Sequence, residues 1–207
     1  MRNHLRLGRD RQRLFTALLA LGLVLAGPSR ALESDPAAAR ASPDMSPLPG
    51  SGFDDRMLRS FHAMVNEIRA RPRSCGSAGR FAAAPPVDYD ARLASASLVH
   101  VTDMIERDYF RHASPPDQKH RGGLRVADRI RAAGYPWTVG VRGVGTAAAE
   151  VLGRGQRSFA QVFDDWLASP SHCAAIMGPT LRQFGVAARF GANDVPVWAM
   201  VLARPPR

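Results

Sequence analysis

The N-terminal segment determines which residues are present in the folded protein. Residues 2–13 are rich in arginine, residues 14–26 form an apolar run, and the small residues Ser29 and Ala31 follow. This order is typical of a secretory signal peptide with cleavage after Ala31. The apolar run has 13 residues, fewer than the roughly 20 that a transmembrane helix needs. We therefore predict that residues 1–31 are removed and that the mature chain, without a membrane span, is exported to a periplasm or out of the cell.

Cleavage also changes the charge of the protein. The whole chain has 28 basic and 18 acidic residues and a formal net charge of +10. Residues 1–31 hold six Arg and one Asp, so the mature chain keeps 22 basic and 17 acidic residues and a net charge of +5. Its arginines are scattered, Lys119 is the only lysine, and no basic run is interleaved with aromatic residues. This pattern predicts no nucleic-acid partner.

The mature chain divides into a short tether and one domain. Residues 32–52 are rich in Ala, Ser and Pro and offer too little apolar surface to fold, so we expect a disordered segment. Residues 53–205 have the length of a single domain. We expect this domain to be a monomer.

Two cysteines, Cys75 and Cys173, are present. Disulfides persist in the oxidising compartments that exported proteins reach, and with no third cysteine an intramolecular bridge is the simplest pairing. The alternative is a pair of buried free thiols. A redox function is less favoured because the chain has no Cys-x-x-Cys sequence.

Apolar spacing predicts helices followed by strands. The helical segments are residues 54–71, 90–108, 124–133, a helix from Ser158 to Pro170, and one turn at 172–177. Ser158 and Gln161 fit a capping box. Strands are predicted at residues 139–144, 146–152, 184–190 and 195–202. Helices on both sides of an antiparallel sheet would bury the apolar faces of these elements.

An ordered set of short motifs runs through the domain. They are Asn66-x-x-Arg69, Leu93 with His100-x-x-Asp103-Met104, Phe110-x-His112, Ala133-Gly134-Tyr135, Trp166-x-x-Ser169-Pro170-Ser171-His172, Gly185-Val186 and Trp198. The set resembles the CAP superfamily, which groups cysteine-rich secretory proteins, antigen 5 and plant pathogenesis-related proteins. The resemblance implies an α+β fold, a three-layer α-β-α sandwich with a central antiparallel sheet. It also implies secretion, and usually no established enzymatic activity.

The resemblance implies a cleft lined by His112, Glu150 and His172. His112 matches the histidine after the second helix, and His172 matches the histidine of the bacterial Ser-Pro-Gly-His turn. Glu150 matches the glutamate of the Gly-Glu-Asn segment, although its neighbours here are Ala and Val. Animal and plant members add a glutamate and a histidine where this chain has Ser169 and Val197, which weakens a metal site.

The three cleft residues allow two interpretations. A His₂Glu set suits zinc or another divalent metal with an open position; alternatively the side chains hydrogen-bond one another, with the carboxylate orienting an imidazole. A carboxylate beside an imidazole raises its pKa, so we expect the cluster to titrate near neutrality. We interpret His100 as a hydrogen-bonded core residue, and His62 and His120 as solvated.

Three functions remain compatible with the sequence. The first is an extracellular binding module whose cleft takes a small-molecule or lipid-like ligand. The alternative is a hydrolase that uses a metal-bound or histidine-activated water in the same cleft; no Gly-x-Ser-x-Gly nucleophile motif is present. The third is a structural envelope protein. The residues do not name the ligand, the substrate or the partner.

Overall fold

The described part of the domain consists of helices, a four-stranded sheet and a two-stranded sheet. The computed structural model describes residues 53–136 and 147–205. The helices are α1 (Asp55–Arg69), α2 (Ala91–Glu106), α3 (Val126–Ala132), α4 (Phe159–Ala168) and α5 (Pro170–Ile176). The strands are β1 (Arg73–Ser74), β2 (Arg80–Phe81), β3 (Asp88–Tyr89), β4 (Ala148–Arg154), β5 (Gln183–Phe190) and β6 (Pro196–Ala203). The predicted signal peptide, the tether and the strand at 139–144 lie outside the described residues.

The main sheet has the order β3-β5-β6-β4. Strand β6 pairs antiparallel with both β5 and β4, and the register places Glu150 opposite Val201. The two-residue strand β3 joins β5 in parallel, with Asp88 opposite Gln183. The three long strands therefore form the predicted antiparallel sheet, with a short parallel strand added at one edge.

Both faces of this sheet are covered by helices. One face packs against α1, α4 and α5 around Phe61, Trp166 and Trp198. The other face packs against α2 and α3 around Leu93 and Ile130. The α+β three-layer α-β-α sandwich is confirmed, and the two tryptophans are core residues, as predicted.

Side-chain caps fix where the longer helices begin. The carboxylates of Asp54 and Asp90 accept hydrogen bonds from backbone N–H groups of the first turns of α1 and α2, and Ser158 accepts from the Gln161 N–H of α4. These caps satisfy donors that a helix N-terminus leaves unpaired. The second half of the predicted capping box differs, because the Gln161 side chain accepts from the Arg157 N–H instead.

Helix α2 lies directly on the backbone of β5 at Gly185. A Cβ atom at this position would lie 2.0 Å from the backbone nitrogen of Ala94, closer than any packing allows. The hydroxyl of Ser97 donates to the Gly185 carbonyl across the same contact, at 3.1 Å. Glycine at 185 therefore sets the distance between α2 and the sheet, and with it the position of the side chains that α2 presents.

The predicted disulfide is confirmed. Cys75 and Cys173 are bonded, with their Cα atoms 5.4 Å apart and 98 positions apart in sequence. Both are buried and pack against Met177. The bridge ties the segment between β1 and β2 to α5.

Helix α5 begins earlier than predicted. The sequence predicts a single turn from residue 172, after a stop at Pro170, but Pro170 is the first residue of a seven-residue helix. Proline suits this position because its missing N–H is one that a helix start leaves unpaired. Within residues 53–136 and 147–205, none of the helices combines the length and the apolar character that a bilayer crossing requires.

Candidate functional site

Glu150 lies at the centre of the predicted cleft. It belongs to β4, the edge strand of the described sheet on the side opposite β3. Val151 packs with the α1 and α4 layer, and alternation along the strand turns Glu150 and Leu152 toward the α2 side. The side chain of Glu150 is only 2 % exposed. A carboxylate this deeply buried requires charged or hydrogen-bonding partners.

The first partner is His112, which lies in the loop after α2. Its Nδ1 is 2.9 Å from Oε1 of Glu150. An ionised carboxylate only accepts hydrogen bonds, so Nδ1 carries the hydrogen and donates. In the neutral ring Nε2 is then unprotonated and available to a ligand or a proton. Because the His112 side chain is 58 % exposed, one edge of the ring is held by the protein and the other faces outward.

The second partner is Arg129 of α3, which the sequence analysis did not identify as a site residue. Its Nη2 donates to Oε2 of Glu150 at 2.7 Å and to the backbone carbonyl of His112 at 3.0 Å. Its Nη1 donates to the Leu124 carbonyl at 2.8 Å. A sequence signal existed, because Arg129 falls on the apolar stripe formed by Val126, Ile130 and Ala133. An arginine on such a stripe needs hydrogen-bonding or charged partners inside the fold.

The partners of Glu150 keep it ionised. Burial alone would raise the pKa of this carboxyl, but the hydrogen bond from His112 and the charge of Arg129 outweigh burial and lower the pKa below its usual value. The site therefore contains a buried ion pair with a histidine hydrogen-bonded to its carboxylate.

A second histidine, His100, lies beneath the carboxylate. Its Nε2 is 3.7 Å from Oε1 of Glu150 and donates to the Arg111 carbonyl at 3.1 Å. Its Nδ1 lies 3.4 Å from the Tyr109 hydroxyl, which also bonds Asp103 and Ser114. Burial lowers the pKa of His100 to about 4, so the ring is neutral at physiological pH. His100 is a hydrogen-bonded core residue, as predicted, and it also forms one wall of the Glu150 site.

His172 approaches the site from the opposite helical layer. It is the third residue of α5, and its ring centroid is 6.4 Å from that of His112, with the rings at 67°. Its ring makes no hydrogen bond to another described residue. Burial and the nearby His112 lower the pKa of His172. The prediction that the carboxylate would raise the pKa of the clustered histidines is therefore wrong for His172, which faces an imidazole and not Glu150.

The arrangement does not fit a metal site in which Glu150 is a ligand. One carboxylate oxygen accepts from His112 and the other from the guanidinium of Arg129, so a metal would have to displace a buried cation. Across the part of the chain that the structure describes, no three His, Cys, Asp or Glu side chains are arranged to hold a metal ion. Of the two interpretations, the geometry matches the one in which the carboxylate orients an imidazole.

Two further histidines of the described residues, His62 and His120, make contacts outside the Glu150 site. The Nε2 of His62 donates to the Val87 carbonyl at 2.7 Å, and its ring packs near Phe184. The prediction that His62 is solvated is therefore wrong in part, because the ring is half-buried. His120 is in a loop beside Asp117.

A comparison of the sequence with known families identifies the family of this chain. The sequence profile described as "CAP: Cysteine-rich secretory protein family" matches residues 62–201, more than half of the 207 residues. This chain belongs to that family. No curated protein has significant sequence similarity to it.

One solved structure shares the fold at low sequence identity, and two others have lower similarity scores. An outer surface protein of Borrelia burgdorferi is 15 % identical, with a TM-score of 0.54 over 74 % of this chain and 96 % of that protein. An extracellular protein of Bacillus anthracis containing an SCP domain is 19 % identical, with a TM-score of 0.46 over 58 % of this chain and 34 % of its own length. A cysteine-rich secretory protein of Staphylococcus aureus is 13 % identical, with a TM-score of 0.43 over 70 % and 37 %.

Proposed function

We propose that this chain is an exported binding module whose cleft between His112 and His172 binds the polar head of a small or lipid-like ligand. The observation that carries the proposal is the position of His112. Its Nδ1 is fixed by the buried Glu150 while more than half of the side chain is exposed. A ring held in this way presents Nε2 to a ligand with little loss of side-chain entropy.

A carboxyl group is the head group that suits this cleft. A neutral His112 accepts a hydrogen bond from a carboxylic acid at Nε2, and a protonated ring donates to a carboxylate and adds charge attraction. His172 faces the same space and has no hydrogen-bond partner among the described residues, so it can supply the second contact to the other carboxyl oxygen.

An exposed aromatic residue in the same loop as His112 could contact the apolar part of the ligand. Phe110 lies two positions earlier in the same loop, and 43 % of it is exposed. A large aromatic side chain left this exposed next to a polar site offers contact area for an alkyl chain. The ligand class is therefore an amphiphile with a carboxyl head and a short apolar body.

The same geometry favours one second function, hydrolysis by a histidine-activated water. A carboxylate that orients an imidazole with a free Nε2 is also the arrangement of a general base. Nε2 of His112 would accept a proton from a water molecule as that water attacks an ester carbonyl. No metal is required for this step, so it differs from the metal-dependent alternative.

The experiment is a calorimetric titration of the mature chain with octanoate, with octanol as the neutral-head control. Variants His112→Asn and His172→Asn are compared with His120→Asn, whose histidine is in a loop beside Asp117. We expect His112→Asn and His172→Asn each to weaken octanoate binding by about tenfold, since each loses one head-group contact. His120→Asn should bind like wild type, and octanol should bind more weakly than octanoate.

Two outcomes decide against the binding proposal. Octanoate binding unaffected by both cleft substitutions would place the ligand elsewhere, and equal binding of octanol and octanoate would remove the head-group contact. The hydrolase is tested separately with p-nitrophenyl octanoate. Release of nitrophenolate that is lost in His112→Asn and kept in His120→Asn would make the protein an esterase.

A further inference from the structure

Arg129 is buried more completely than its charge would ordinarily allow. Its side chain is 1 % exposed, and that of Glu150 is 2 % exposed. The guanidinium joins three segments of the chain, since it bonds Glu150 on β4, the His112 carbonyl in the loop after α2, and the Leu124 carbonyl before its own helix. The donors of a cation this buried need partners, and for Arg129 one of those partners is the oppositely charged carboxylate of Glu150.

The charges around Glu150 are already balanced. Arg129 contributes one positive charge and Glu150 one negative charge, and the neighbouring His100 is neutral at physiological pH. A divalent ion bound to Glu150 would lie within a few ångströms of the guanidinium, where like charges repel strongly because little water screens them. A divalent ion in direct contact with Glu150 would therefore add two positive charges to a carboxylate that Arg129 already neutralises.

We propose that Arg129 is the permanent cation of this cleft: it occupies the position at the Glu150 carboxylate that a divalent metal would need, so that Glu150 orients His112 and does not ligate metal. The positioning role follows from the same contacts. Arg129 fixes the backbone at His112 and one oxygen of Glu150, while the second oxygen fixes the ring of His112. The proposal concerns the cleft of the proposed function, but it needs no organic ligand and its test uses none.

The test is a titration of the mature chain with zinc, comparing wild type with Arg129→Met. Methionine has a similar length and no charge, so it frees the Glu150 carboxylate. We expect Arg129→Met to bind zinc at least about tenfold more tightly than wild type, with Glu150 and His112 as new ligands. Adding Glu150→Gln to Arg129→Met should abolish this gain. Arg129→Lys, which keeps the positive charge, should bind zinc like wild type.

The matched control is Arg131→Met. Arg131 lies two positions away on the same helix, is about half exposed and pairs with Asp128. Loss of its charge removes the same net charge from the protein without touching Glu150, so zinc affinity should remain that of wild type. A similar gain in Arg131→Met and Arg129→Met would show a general charge effect and would overturn the inference.

Two further results show whether Glu150 is a zinc ligand, even if Arg129→Met fails to fold. The double variant Arg129→Met with Glu150→Gln removes both buried charges together, which avoids leaving one unpaired. If this double variant and wild type bind zinc equally, Glu150 is not a ligand in the wild-type protein, as we infer. If wild type binds zinc tightly, and zinc shifts the Glu150 carboxylate resonance in carbon-13 NMR of the wild-type protein, Glu150 ligates metal despite Arg129 and the inference is wrong.

Discussion

At the residue scale, the motif Asn66-x-x-Arg69 illustrates how a family resemblance can rest on residues far from the cleft. The Asn66 side chain both donates to the Val87 carbonyl and accepts from the Val87 N–H. The guanidinium of Arg69 is fully buried and donates to the carbonyls of Pro85, Ile176 and Leu181. Burial and the nearby Arg182 lower the pKa of Arg69 to about 10, which leaves it charged. This motif therefore anchors β3 and the end of α5.

His100 gives a prediction about acid stability. Its pKa is about 4 in the folded chain against 6.5 for an unperturbed histidine. The unfolded chain therefore binds a proton at higher pH than the folded chain, and folding loses stability as pH falls from 6.5 toward 4. The expected loss is roughly 2–3 kcal/mol between pH 7 and pH 4.5. We expect His100→Gln, whose amide can still donate to the Arg111 carbonyl, to lose most of this pH dependence in urea unfolding.

The control for this measurement is His120→Gln. His120 lies in a loop beside Asp117, so this variant removes a histidine and keeps the His100 contacts, and the pH dependence should change less than in His100→Gln. The pKa of His172 is also lowered, so His172 also contributes to the loss of folding stability as pH falls. Equal slopes in wild type and His100→Gln would mean that His100 does not remain neutral in the folded protein.

At the scale of elements, α5 is held at both ends of its short length. The Cys75–Cys173 bridge fixes its first turn, and Arg69 bonds the carbonyl of Ile176, its last residue. A helix of seven residues is too short to be stable without such tertiary contacts. Because His172 belongs to this helix, the bridge and Arg69 together determine where His172 lies relative to His112.

The disulfide should contribute substantially to stability. It closes a loop between positions 98 residues apart, and the entropy of closing such a loop in the unfolded chain corresponds to about 4 kcal/mol. We expect complete reduction, or Cys75→Ala with Cys173→Ala, to lower the melting temperature by several degrees in calorimetry. The double variant should show no further change with reductant, whereas an unchanged melting temperature in the fully reduced wild type would contradict this role.

At the scale of the whole molecule, long periodic elements were predictable and short ones were not. The apolar spacing located α1, α2 and α4 to within a few residues, since each buries one continuous stripe. Strands β1, β2 and β3 have two residues each, too few to show any alternation. Their positions depend on tertiary contacts, such as the pairing of Asp88 with Gln183.

The residues of the candidate site were predictable only in part, because tertiary contacts bring them together and leave no local pattern in the sequence. His112, Glu150 and His172 were identified through the family resemblance, because they come from distant parts of the chain and their spacing carries no signal. Arg129 was missed although it lies on an apolar stripe, because a helix of seven residues has few turns on which a stripe can be recognised. The sequence predicts a raised pKa for His172, whereas the pKa is lowered, because the shift depends on burial and on which neighbour the ring faces.

The buried Glu150–Arg129 pair holds His112 with Nδ1–H toward the carboxylate, which leaves Nε2 for the proposed ligand. Nitrogen-15 NMR of the histidine side chains in the wild-type chain measures this directly, at a pH where both rings are neutral. We predict that Nδ1 of His112 carries the hydrogen, whereas His100, which donates from Nε2 to the Arg111 carbonyl, shows the opposite tautomer. A neutral His112 with its hydrogen on Nε2 would contradict the account.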